Sequence, residues 1–269
     1  MLKVVLLFLV VSLGVADRIK IGFMPYLSAQ TIHDRYTPLA DHLSWVLDRP
    51  VRIVVARNHA HQAELFKKGA IDVAFLGGNP YVRIVEAVGP QPILARFAFG
   101  GAPHFRSVII VREDSPLTAL EQLQNKRIAL GDPHSTLSSE VPLDLLYQAG
   151  LEADDLASIT HLSNHENILY GVLFGAFEAG AVAEEIFMEN RHRGLRALSY
   201  SEPLSTHLFI AHSSLEDADV RAIKERLLTL HQSPQGQRIL RAIHPNLSGF
   251  VPGEDSDYDA HRAILKRLP

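Results

Sequence analysis

Short apolar runs rich in β-branched residues alternate along the chain with stretches of helical periodicity. The first is Ile19-Lys20-Ile21-Gly22-Phe23, followed by helical spacing over Tyr36–Leu47, the run Val51-Arg52-Ile53-Val54-Val55, a second helical stretch over His61–Lys68, and Val73-Ala74-Phe75-Leu76. That order predicts βαβαβ units and parallel sheets. Ligands bind such units in the crevice outside the carboxyl ends of the strands. Gly77-Gly78-Asn79-Pro80-Tyr81 stands at one such end, with Asn79 suited to cap a helix and Pro80 suited to its first position.

Two longer strands are predicted over Pro92–Phe99 and Ser107–Arg112, separated by the turn-rich Gly100-Gly101-Ala102-Pro103. The alternation then restarts: helix Leu117–Gln124, strand Arg127–Leu130, a helix to Gly150, strand Ser158–Leu162, helix Asn167–Phe177, strand Ala179–Ala183 and helix Glu184–Arg193. Ser163-Asn164-His165-Glu166 has the pattern of a capping box. Strand Leu208–Ala211 and helices Asp217–Gln232 and Pro234–Ile243 complete the prediction. The pattern is that of an α/β protein with two Rossmann-like lobes joined by two crossing segments, near Phe99–Phe105 and Ser201–His207, and a ligand cleft between the lobes. One lobe is expected to comprise residues 17–103 and 207–269, the other residues 104–206.

The junction Gly131-Asp132-Pro133-His134-Ser135-Thr136-Leu137-Ser138-Ser139 leads from a strand into a helix start crowded with hydroxyls. A helix N-terminus leaves amide hydrogens unpaired and carries partial positive charge, so added hydroxyl donors make it a cradle for an anion. One cap needs one side-chain oxygen, and this junction offers Asp132, Ser135, Thr136, Ser138 and Ser139.

Composition narrows the setting. A Lys near the start, the apolar run Val4–Val11 and the small residues Gly14-Val15-Ala16 read as a secretory leader over residues 1–16, too short in its apolar part to span a membrane. The chain has no cysteine, which rules out disulfides, thiolate metal sites and a lipidated N-terminal cysteine, and favours a bacterial periplasm. A formal net charge of −4, with the two signs interspersed, argues against nucleic acid as a partner. No Gly-x-Ser-x-Gly elbow, phosphate loop ending in Gly-Lys-Ser/Thr, His-Glu-x-x-His pair or cysteine nucleophile is present, so an enzyme is not expected and no cofactor is implied.

The chain resembles the bacterial periplasmic solute-binding proteins for phosphate-, phosphite- and phosphonate-type ligands, the binding components of ABC importers with the two-lobed type II periplasmic fold. The resemblance rests on Tyr36-Thr37-Pro38-Leu39-Ala40-Asp41, Asp72-Val73-Ala74-Phe75-Leu76-Gly77, Arg106-Ser107-Val108-Ile109-Ile110-Val111 and above all Gly131-Asp132-Pro133-His134-Ser135-Thr136. It implies that Ser135 and Thr136, with Ser138 beside them, grip the oxyanion. It also implies that His165 donates to the anion and that Glu185 matches a carboxylate that pairs with a ligand amine. Asn79, Tyr26 and Tyr81, at predicted strand ends, are further candidates to line the cleft, with core packing as the other reading of the two tyrosines.

Four positions depart from the family pattern: His59 and Phe105 stand where tyrosines are usual, Leu137 replaces a serine, and His207 replaces a second carboxylate. The binder class is therefore expected to hold while the preferred ligand changes. Two roles are open for the imidazoles, hydrogen-bond donors to a small anion or, with His59, His165, Glu185 and His207 together, ligands of a divalent metal. The expected partners are that small ligand and an inner-membrane ABC permease, with a sensor kinase as the alternative receptor, and the expected state is a monomer.

Overall fold

The structure is a computed structural model that describes residues 18–268; the expected leader lies outside the described residues. The chain runs β1 (Ile19–Phe23), α1 (Ala29–Leu47), β2 (Val51–Val55), α2 (His59–Lys67), β3 (Val73–Leu76), α3 (Gly78–Val88), β4 (Ile93–Phe99), β5 (His104–Phe105) and β6 (Ser107–Arg112). It continues with β7 (Arg127–Leu130), α4 (Val141–Gln148), β8 (Ser158–His161), α5 (His165–Leu173), β9 (Ala179–Ala183), α6 (Glu184–Asn190) and β10 (Leu195–Tyr200). It closes with β11 (Leu204–Ser205), β12 (Leu208–Ala211), α7 (Asp217–Thr229), α8 (Pro234–Ile243), β13 (Leu247–Val251) and α9 (Asp259–Arg267).

Two sheets result, one per lobe, in the orders β13-β4-β12-β3-β1-β2 and β10-β6-β9-β7-β8. Neither is wholly parallel. β12, entering the first sheet from the second lobe, lies antiparallel between β3 and β4, and β6, entering the second sheet from the first lobe, lies antiparallel between β9 and β10. A strand arriving from the opposite lobe enters its sheet from the cleft side and so runs against the strands that end there. The two crossings pair with each other as a short antiparallel ribbon, β5 with β11, matching Phe105 to Leu204 and His104 to Ser205.

Local chemistry sets most element starts. Ser28, Asn58, Asn164 and Ser233 each accept a hydrogen bond from the amide three residues on, capping α1, α2, α5 and α8. Asn164 thereby replaces the expected Ser163–Glu166 box: its side-chain oxygen accepts from the Asn167 amide at 2.9 Å, and α5 starts at His165. Likewise α3 is capped by Gly77, which puts Asn79 and Pro80 inside its first turn. The predicted helix Leu117–Gln124 is only a 3-10 turn over Leu120–Leu123.

Besides the short crossing strands β5 and β11, three elements are additional to those predicted. β10 and β13 are edge strands whose sequences, Leu-Arg-Ala-Leu-Ser-Tyr and Leu-Ser-Gly-Phe-Val, lack a long apolar run; each depends on pairing to a distant strand, β6 and β4. α9 buries only His261 and Ile264 and packs on α3, so its signal is short-range and weak. No helix among the described residues is long and apolar enough to cross a membrane.

Candidate anion-binding site between the lobes

The strand ends that face the cleft carry the candidate side chains. His59 opens α2 after β2, Gly77 follows β3, the hydroxyl-rich turn follows β7, His165 opens α5 after β8, and Glu185 sits in the first turn of α6 after β9. This is the carboxyl end of both sheets, where α/β folds bind ligands.

The hydroxyl-rich turn is not an ordinary helix start. Residues Thr136–Glu140 form a single π turn, with the Glu140 amide donating to the Ser135 carbonyl at 3.0 Å, before α4 begins. One-turn widening of this kind is frequent at functional sites. Gly131 closes the turn by donating to the Ser138 carbonyl at 2.8 Å, and a Cβ there would lie 2.0 Å from Ser138 Oγ, so only glycine fits without displacing that serine. Ser135 and Ser138 share a hydrogen bond of 2.7 Å between their hydroxyls. Thr136 Oγ1 accepts from the Asn79 amide across the cleft at 3.1 Å, which leaves its own proton for another acceptor. Ser139 Oγ is buried with no hydrogen-bond partner among the described residues.

Asp132 joins this turn to the opposite lobe. Its carboxylate accepts from the His134 amide at 2.9 Å and the His59 amide at 3.3 Å, and lies 3.4 Å from His59 Nδ1. Burial pushes its pKa up, but the adjacent His59 imidazole and the His134 and His59 amides outweigh burial and hold it well below the usual carboxylate range.

His59, His165 and His207 gather around the same space. His165 is buried, and its Nδ1 meets no hydrogen-bond partner among the described residues. Burial, then the neighbouring His59, push its pKa down to about 4. His207 stacks on Phe75 with ring centroids 4.9 Å apart and receives the edge of Phe105 at 4.9 Å. Burial, with His165 and His59 adding, pushes it down to about 3. At neutral pH both imidazoles are therefore neutral, each with one N–H to donate.

Beside them Tyr26, Tyr36, Phe75, Phe97, Glu185 and His207 are among the residues around a cavity of about 20 Å³. The Tyr26 and Tyr36 hydroxyls lie 3.0 Å apart, and burial raises Tyr26 to about 12. Glu185 is half-buried, and burial is the main cause that raises its carboxyl.

The other candidates lie elsewhere or act structurally. Tyr81 packs on Tyr258 at 4.7 Å and donates to Asp255 at 2.7 Å, away from the imidazoles. Leu137 is buried in the core, and its carbonyl accepts from Ser107 Oγ at 2.6 Å. Asn79 is fully enclosed, donating to Glu140 at 2.8 Å and contacting His261 Nδ1 at 2.8 Å. Among the described residues no group of three or more histidine, cysteine or carboxylate side chains, His59, His165, Glu185 and His207 included, is arranged so that it could hold a metal ion. Asp132 as the partner of His59, and Glu140 with Arg83, are contributions absent from the sequence-based set. Arg83 and Glu140 lie 57 positions apart, and no local pattern couples them.

The phosphonates-binding periplasmic protein of Escherichia coli (strain K12) is 26% identical over 153 residues, covering 55% of this chain and 45% of that protein, so the chain spans less than half the length of that relative in the match. PhnD1 from Prochlorococcus marinus (MIT 9301), solved with methylphosphonate, superposes with a TM-score of 0.85 at 22% identity, covering 93% of this chain and 98% of that one. A binding protein component of an ABC phosphonate transporter from Pseudomonas aeruginosa gives 0.84 at 17% identity, covering 93% and 86%. These structural likenesses establish a shared two-lobed fold. The profile of a family described as the periplasmic substrate-binding protein of the phosphonate ABC transporter matches residues 21–258, and the chain belongs to that family.

Proposed function

We propose that this protein captures a small phosphonate- or phosphite-like oxyanion in the periplasm and delivers it, as a monomer, to an inner-membrane ABC permease, without chemical turnover. The observation that carries this reading is the meeting of a hydroxyl-rich turn with three imidazoles at the carboxyl ends of two sheets. Hydroxyls and imidazole N–H groups offer hydrogen bonds to an oxyanion, a set suited to reversible binding. Asp132 is committed to His59, and no nucleophile with an adjacent free base stands in the turn.

The neighbouring cavity favours a small substituent on the anion. Its volume of about 20 Å³ holds roughly one water, between buried aromatic rings with Arg35 and Glu185 beside them. A hydrogen or methyl group is compatible with that space, and an aminoalkyl arm requires the walls to move.

Titration calorimetry of the leaderless protein with methylphosphonate, phosphite, phosphate and 2-aminoethylphosphonate tests the reading. Methylphosphonate or phosphite is expected to bind most tightly, and Thr136→Ala to weaken that binding by about 1–3 kcal/mol, the usual cost of a lost hydrogen bond to a charged group. Absence of binding by all four at millimolar concentration overturns the proposal.

A further inference from the structure

Two buried carboxylates sit one turn apart at the start of α4 in the second lobe: Glu140 and Asp144, each 3% exposed. Positions four apart share one helix face, so both point the same way. Gln148, on α4 itself, donates to Asp144 at 2.7 Å, and the arginine partners of both carboxylates come from the other lobe. Glu140 accepts from Arg83 at 2.5 Å and from Asn79 at 2.8 Å, both on α3. Asp144 accepts from Nε and Nη2 of Arg267 at 2.7 Å each, a two-pronged contact from the last turn of α9. α9 itself packs on α3, and His261 on α9 holds Asn79 in place at 2.8 Å. Two helices of the first lobe, α3 and α9, therefore grip one face of the second.

From these contacts we infer that Glu140–Arg83 and Asp144–Arg267 form a latch that sets the balance between open and closed lobes, and that its four side chains tune ligand affinity without touching ligand. Buried carboxylates need charged or hydrogen-bonding partners. Gln148 stays with Asp144 in either state, whereas Arg83 and Arg267 reach the carboxylates only while the lobes meet, so the arginine contacts stabilise the closed form selectively. A ligand that needs the closed form binds with an apparent dissociation constant inversely proportional to the closed fraction. The part of the inference that concerns affinity rests on the proposed oxyanion binding; the part that concerns closure does not.

The latch is tested first without ligand. The chain has no cysteine, so Glu64→Cys and Glu152→Cys, on exposed positions of the two lobes, accept spin labels cleanly. Electron–electron distance measurements on the ligand-free protein are expected to show a longer inter-lobe distance, or a larger share of the long component, in Asp144→Asn and Arg267→Gln than in the parent. Arg267→Lys, which keeps the charge but not the two-pronged geometry, is expected to fall between them.

In calorimetry and stopped-flow binding with methylphosphonate, Asp144→Asn is expected to weaken affinity roughly tenfold, about the worth of one charge-assisted hydrogen bond, mainly through faster dissociation. Unchanged distance distributions in Asp144→Asn and Arg267→Gln overturn the latch, whatever binds. If the parent protein binds no oxyanion, the functional reading fails separately, and the distances still decide the latch.

Discussion

Phe75→Ala is expected to be the most destabilising substitution at the floor of the cleft, costing about 3–5 kcal/mol, the usual range for truncating a buried phenylalanine. Phe75 lies on β3 and is essentially inaccessible to solvent. Its ring meets Phe97 at 5.1 Å, Phe23 at 5.5 Å and Phe209 at 5.6 Å, so its removal opens a void that several rigid rings cannot collapse to fill. For a protein of this size the melting temperature should fall by roughly 10 °C. Affinity for methylphosphonate should fall as well, because Phe75 is the platform on which His207 stacks. Phe174→Ala, at a ring 81% exposed just after the end of α5, provides the contrast and should change stability by less than about 0.5 kcal/mol. Equal effects of the two substitutions in differential scanning calorimetry would mean that Phe75 is not part of the packed floor.

The second large effect is on pH dependence, and it has opposite signs for binding and for folding. In the free protein burial keeps His165 neutral down to about 4 and His207 down to about 3. An anion hydrogen-bonded to either imidazole favours its protonated form and raises its pKa in the complex. Affinity therefore rises as pH falls through the raised value, by up to tenfold per pH unit for each proton taken up, and levels off near the free-protein value. Calorimetry between pH 7.5 and 5.5 should show tighter binding at the lower pH after correction for the ligand's own ionisation, and His165→Gln should flatten the slope. A parent affinity that falls toward pH 5.5, with the same slope in His165→Gln, would show that no imidazole takes up a proton on binding.

Folding runs the other way. An unfolded histidine binds its proton near 6.5, whereas buried His165 does so only near 4, so the unfolded chain holds more protons between those values. The stability contributed by a neutral buried imidazole is fully present above pH 6.5 and is lost as pH falls toward 4. The thermal shift given by a saturating oxyanion should consequently grow as the ligand-free protein weakens.

Much of the fold was legible along the chain because its cause is local. The runs at Ile19–Phe23, Val51–Val55, Val73–Leu76, Arg127–Leu130 and Ala179–Ala183 form strands at the positions their β-branched and apolar residues indicate. The caps Ser28 and Asn58 explain why α1 and α2 start earlier than the apolar periodicity alone suggests. The edge strands β10 and β13 and the helix α9 were not legible, since each depends on a surface supplied by a distant segment.

The same division holds in the cleft. Its hydroxyl content belongs to one continuous segment, Gly131–Ser139, and the sequence alone determined that this turn follows a strand and has more donors than a cap uses. Only the tertiary structure decided that the turn is a π turn, that Thr136 is met by the Asn79 amide, and that Asp132 is committed to His59. It also decided that Tyr81 serves Asp255 and that Glu140 and Asp144 are held by Arg83 and Arg267. The reason is distance along the chain: strand, cap and turn preferences act over a few residues, while pairings between partners tens to more than a hundred positions apart exist only once both sheets have formed and the lobes have met.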